Sequence, residues 1–288
     1  MMSTNVLPAI VLSYVLGPAK VMHASHAGLT ARMALEQPSD EDSKAAGGLD
    51  MSLLASRISA LQQAPEPEKV RLFNFDAMVP GQCLTFSVPA SFVETLDRME
   101  VDECPLVMVG RDRLRLLNNG VECRVERLDR RPEGDAIATL VADRYCEVVE
   151  VGEDEGSRWL GRSGSVRWLS LDASTPGEQP APAVLSRAEA LDVLVSEWMQ
   201  LVKATGRERQ PGQIEKILAD LGPIPEPNRP TARALWIAGL INPLPALGVA
   251  LEIRPACLTA ETADIRLQVV EMGLKDSIER LKRPGPTF

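Results

Sequence analysis

Two serines, Ser163 and Ser165, sit in the run Gly161-Arg162-Ser163-Gly164-Ser165. Glycines around a serine are what a hydrolase uses to hold a nucleophile on a tight turn, but an elbow of that kind needs the spacing G-x-S-x-G. That spacing is missing, and so is a base: the only histidines are His23 and His26, so the chain from residue 27 onward has no imidazole to take a serine proton. The run therefore reads as a surface loop between Trp159 and Trp168. A second candidate is the acidic series Glu147, Glu150, Glu153, Asp154 and Glu155. Oxygen ligation of a hard cation requires a loop of defined geometry, which this series does not spell, and it reads as a solvated turn after a strand. The cysteines, Cys83, Cys104, Cys123, Cys146 and Cys257, are odd in number and form no CxxC pair. Zinc sites and a disulfide framework are disfavoured, and the thiols are expected to be free, mostly buried and in a reducing compartment. No G-x-x-x-x-G-K-[ST] phosphate loop occurs. The expected catalytic, cofactor and metal residues are therefore none.

Charge narrows the partners. The formal net charge is −9, and all acidic residues lie after residue 35, a distribution that argues against a nucleic-acid-binding body. Residues 6–16, VLPAIVLSYVL, are apolar but fall short of the roughly 20 residues a membrane-spanning helix requires. Small residues and the acid-free GLTARMAL follow. Residues 1–35 read as a targeting segment for an organelle, a plastid being favoured, with a cytoplasmic protein carrying an N-terminal tail as the alternative.

The elements come next. Residues 36–68 read as a linker holding a short amphipathic helix, in which Leu53, Leu54, Ile58 and Leu61 share a face. Short β-prone runs follow at residues 84–88, 106–109, 114–117, 121–125, 136–141 and 145–151, with turn signals at Asn118-Asn119-Gly120 and Pro132-Glu133-Gly134-Asp135. One helix interrupts them, with Ser91 before Phe92 and Glu94 in capping-box position. Residues 173–185 form a Pro-rich linker, after which the pattern is helical. Ser186 and Glu189 suit a capping box for a helix carrying Leu191, Leu194, Val195, Trp198, Leu201 and Val202. Further helices are predicted at residues 213–221, 232–241 behind Thr231, 247–253, and 263–281 behind Thr259 and Thr262.

Two runs tie these halves together. Residues 73–82 read FNFDAMVPGQ, and residues 233–245 read RALWIAGLINPLP. They resemble the two halves of a Lon N-terminal domain. The resemblance extends from about residue 71 to 281: Phe73-Asn74-Phe75 stands at the family's opening strand and Val79-Pro80-Gly81 at its Pro-Gly turn. Residues 120–125, GVECRV, resemble its Val-Gly-Thr-Val strand, and Arg144-Tyr145 stands at its Arg-Phe position, with Ala142 where glycine is usual. The implied fold is α+β, a PUA-like small β-barrel of about six strands plus a helix at residues 69–172, followed by an α-helical bundle at residues 186–283. ATP-dependent members continue into an ATPase and a Ser-Lys peptidase, and this chain carries neither signature, so the resemblance implies a stand-alone module without enzymatic activity.

In the parent protease this region captures unfolded or tagged proteins. The resemblance accordingly implies a protein-recognition module whose partners are client polypeptides and a protease. The expected site is an apolar cleft between barrel and bundle or on the barrel face, with Phe75, Met78, Phe92, Met99, Trp159 and Trp168 as candidate contacts. A structural subunit of an organelle complex is the alternative.

Overall fold

A computed structural model describes residues 66–101, 103–112, 115–154, 162–171 and 180–283. The expected targeting segment, the helix around Leu54, most of the Pro-rich linker and Trp159 lie outside these residues.

Six strands build the first half: β1 (Glu68–Asn74), β2 (Cys83–Val88), β3 (Leu106–Asp112), β4 (Arg115–Arg130), β5 (Ala136–Asp154) and β6 (Arg162–Leu169). β1 runs parallel to β3, while β3–β4, β4–β5, β5–β6 and β6–β1 are antiparallel. These five pairings close a ring, so the sheet is a small barrel that leaves β2 as a flap on the first half of β5. Val70, Leu72, Phe73, Val107, Val109, Val121, Leu140, Tyr145 and Val166 are buried in it.

Long strands replace several expected short ones. Asn118-Asn119-Gly120 is not a turn: Gly120 pairs with Val109 on one side and Cys146 on the other, and β4 runs straight through. The expected break at residues 142–144 is likewise absorbed into β5. Hydrogen bonding on both sides overrides the local turn preference, and register shifts in the β4–β5 pairing supply the bend instead. The run Arg162-Ser163-Gly164-Ser165 is also strand rather than loop. Ser163 pairs with Arg71, and Ser165 with both Lys69 and Glu150. Glu147 and Glu150 lie in β5 rather than in a turn, and Glu147 pairs with Arg167 at 2.7 Å.

The helix α1 (Ala90–Val101) follows β2. It begins before Ser91, because the Pro89 carbonyl already accepts the Phe92 and Val93 N–H groups; Ser91 is therefore not its cap. The bundle comprises α2 (Pro182–Ala204), α3 (Gln213–Leu221), α4 (Pro230–Ile241), α5 (Arg254–Thr259) and α6 (Ala263–Lys282). Pro182 and Pro230 open α2 and α4 with no side-chain cap, so the expected Ser186 and Thr231 caps fall inside helices. Thr262 does cap α6, its hydroxyl accepting the Ile265 N–H at 3.3 Å. Residues 247–253, predicted helical, are not.

Nearly every residue of α4 is buried, which is the signature of a central helix, and it packs against α2, α3, α5 and α6. Two of the contacts between barrel and bundle are hydrogen-bonded or close-packed joints. In one, the Tyr145 hydroxyl donates to the Leu258 carbonyl, and Arg266 donates to Tyr145 at 3.4 Å and to the Cys257 carbonyl at 3.0 Å. In the other, the loop after β1 meets α4. Gly81 adopts φ +85°, a turn that favours glycine, and a Cβ on Gly239 would sit 3.1 Å from Val79. Helix and loop touch there backbone to side chain.

Candidate functional site

Phe73 is fully buried near the end of β1, on the opposite face from Leu72, and the chain leaves the strand at Phe75. Phe75 stacks on Phe73 at a ring separation of 5.5 Å and on Phe86 of β2 at 5.1 Å. Phe92, from the buried face of α1, meets Phe73 edge-on at 5.0 Å and Phe86 at 6.0 Å. Four rings thus form one cluster that rises from the core to the surface. Phe73 is 0% exposed and Phe75 is 44% exposed. The outer ring is fixed from below by stacking and from its own chain by Asp76, which accepts the Ala77 N–H at 2.7 Å and pairs with buried Arg254 at 3.3 Å.

Two depressions lie elsewhere on the described residues. One, of about 680 Å³, lies between α1 with the following loop and the outer half of β4. Leu96, Met99, Leu106 and Leu128 contribute its apolar lining, while Glu103, Glu122, Arg124 and Asp143 edge it. An Asp97–Arg130 bridge at 2.5 Å joins helix to strand, and that guanidinium holds the Asp97 carboxyl below its usual range. The other, of about 590 Å³, lies in the bundle and is lined by Val195, Met199, Leu218, Ile224 and Trp236.

The expected contacts divide. Phe75 presents its ring to solvent. Met78 and Phe92 are each 1% exposed and Met99 is also buried, so these three are core residues. Met99 reaches only the floor of the first depression. Trp168, half-buried on β6, lies beneath the Arg144 guanidinium at 3.9 Å and donates from Nε1 to Glu68 at 2.5 Å. Arg144 is in turn held by Glu122 at 2.5 Å, so this tryptophan is occupied by its own neighbours. Sequence reasoning missed Phe86, although its place between Leu84 and Val88 in an alternating strand marks it as lying on the more buried face of β2.

Four of the thiols are poor nucleophiles. Burial pushes Cys83 up to about 11, with Asp220 and Glu126 adding to it, and burial pushes Cys123, Cys146 and Cys257 up to about 12. At pH 8 a thiol of pKa 11 is only about 0.1% thiolate, so a colorimetric disulfide reagent is expected to label Cys123, Cys146 and Cys257 only after unfolding. The sign for stability follows: the folded state holds these protons more tightly, so stability is full below the unfolded thiol pKa and falls as pH rises above it toward the folded values. A pH series of urea melts is expected to be flat from pH 7 to about 8.5 and to decline beyond. Among the described residues no group of three or more His, Cys, Asp or Glu side chains is placed to hold a metal ion, and no helix is long and apolar enough to cross a membrane.

Among solved structures, the chain is similar to a Lon N-terminal domain protein from Xanthomonas campestris, with 15% identity and a TM-score of 0.44, over 69% of this chain and 95% of that one. It is also similar to the N-terminal domain of the Lon protease of the Mycobacterium avium complex, with 14% identity and a TM-score of 0.46, over 73% of this chain and 99% of that one. No family model and no curated protein matches the sequence.

Proposed function

We propose that the chain is a non-catalytic protein-recognition module that binds unfolded or client polypeptides and delivers them to a protease. The observation that carries this reading is Phe75, a large aromatic ring 44% exposed on a base of three further rings. An exposed ring that cannot collapse inward offers apolar and π surface at little further cost in conformational entropy. It can grip many different apolar side chains, as a receptor for unfolded chains must. The resemblance of residues 73–82 and 233–245 to a Lon N-terminal domain supports the same reading and is the basis for the delivery step.

The test is fluorescence anisotropy with a permanently unfolded probe, reduced and carboxymethylated α-lactalbumin, titrated with the full chain. Phe75→Ala is expected to weaken binding about tenfold, as the loss of an aromatic anchor does. Its melting temperature should stay within about 3 °C of the parent, because a half-exposed ring leaves little cavity. Equal affinity of the two proteins would remove Phe75 from the site, and no binding by either would sink the proposed function.

A further inference from the structure

β4 is long enough to have two different neighbours on one edge. From Arg115 to Glu122 that edge pairs with β3, and the last pair of the ladder is Val107 with Glu122. Beyond Cys123, which lies opposite Leu106, β3 has not yet begun. Residues 124–129 keep β5 on their other side, Arg124 with Val141 through Asp129 with Ile137, and among the described residues they have no strand on the β3 side. The depression of about 680 Å³ lies along this stretch, with α1 as its far wall.

An edge of this kind presents backbone N–H and C=O groups that must bond to water or to another chain. We infer that this edge of β4 receives an extended segment of client polypeptide as an added strand, continuing the line of β3. The inference rests on the recognition function proposed above and gives it a second, backbone-reading site. The floor sets the side chains that fit: Leu96, Met99 and Leu128 accept an apolar residue at every second position of the incoming strand. Charge sets the rest. Asp97 is neutralised by Arg130 and Glu122 by Arg144, which leaves Glu103 and Asp143 against Arg124 and makes the rim acidic. A strand alternating apolar with basic residues is the complementary partner. The edge is protected from copies of itself. Register shifts after Val121 and Val125 coil it, and Arg124, Glu126, Arg127 and Asp129 are exposed along it, so a flat partner sheet cannot dock while one flexible strand can follow.

The probe is a fluorescein-labelled decapeptide alternating valine and lysine, titrated with the full chain. An added strand bonds to its host through every second amide only, so N-methylation of one set of amides is expected to weaken binding at least about tenfold while methylation of the other set changes it less than about twofold. The double variant Glu103→Lys with Asp143→Lys, both at exposed positions, should weaken the lysine peptide about fivefold and strengthen a valine–glutamate peptide. Equal sensitivity to the two methylation sets, or no effect of the charge reversal, would overturn strand addition. Binding of carboxymethylated α-lactalbumin without binding of either decapeptide would leave the recognition function standing and remove this site; loss of all three would remove both.

Discussion

Replacing Arg233 by methionine is expected to cost about 3–5 kcal/mol and to lower the melting temperature by roughly 6–15 °C. Arg233 is 1% exposed in the centre of the bundle. Its Nε donates to the Ala188 carbonyl of α2 at 2.9 Å, its Nη1 to the Pro225 carbonyl at 2.5 Å, and its Nη2 pairs with Asp192. One guanidinium therefore joins α2, the Pro-rich connector before α4, and α4 itself. Pro225 lies in a segment of prolines that forms no helix or strand, so its carbonyl has few other ways to find a donor. Methionine keeps the aliphatic stem and most of the volume but no donor, leaving the half-buried Pro225 carbonyl without its partner and the Ala188 carbonyl with its helical bond alone. Asp192→Asn is the control. That carboxylate is 56% exposed, and its ion pair is screened by water, so the change should cost less than about 1 kcal/mol. Thermal melts of the two variants followed by circular dichroism decide the matter. Similar melting temperatures would mean that the charge pair, rather than the bonds to backbone oxygens, carries the stability.

The strands and helices were legible in the sequence wherever local pattern and tertiary pairing agree. α3 is amphipathic and bounded by glycines, and its observed limits, Gln213–Leu221, are those the pattern predicts. They disagree at Asn118-Asn119-Gly120, where a strong hairpin signal lies in a strand paired on both sides, and no reading of local residues reports that pairing. Residues 247–253 fail for a similar reason. Their apolar spacing suits a helix, but the Asn242 side chain donates to the Leu251 carbonyl at 2.9 Å and accepts the Ile253 N–H at 3.1 Å, holding the segment in an irregular path. The candidate site divides along the same line. Phe75, one of six apolar candidates, is the one among the described residues whose ring is exposed, at 44%. Met78, Phe92 and Met99 are equally apolar, and only packing reveals that they lie inside. The open edge of β4 was not legible at all, since it depends on where a different strand begins.

The largest effect on the joint between barrel and bundle is expected from Gln82→Leu, about 3–4 kcal/mol. Residues 73–82 and 233–245 are the two runs most characteristic of the sequence, and this amide connects them. Its Oε1 accepts the Val79 N–H at 3.1 Å, and its Nε2 donates to the Gly239 carbonyl at 3.3 Å and to the Asn242 carbonyl at 2.9 Å. The last carbonyls of a helix have no partner within it, so at the buried end of α4 a glutamine from the loop supplies the donor that water supplies elsewhere. Leucine fills similar space and satisfies none of these groups, so the deficit measures hydrogen bonding rather than packing. Gln82→Glu separates donor from acceptor. An ionised carboxylate keeps the bond from Val79 but repels both carbonyls, and burial raises its folded pKa above the unfolded value near 4.3. Its deficit relative to the parent should therefore be greatest at pH 7 and shrink as pH falls through the raised folded pKa, because the neutral acid regains one donor. Urea melts of the parent, Gln82→Leu and Gln82→Glu at pH 7 and pH 5 test this. A Gln82→Leu deficit below about 1 kcal/mol, or a Gln82→Glu deficit that does not change with pH, would show that the loop and α4 are held by apolar contacts such as Val79 against Gly239 and not by the amide.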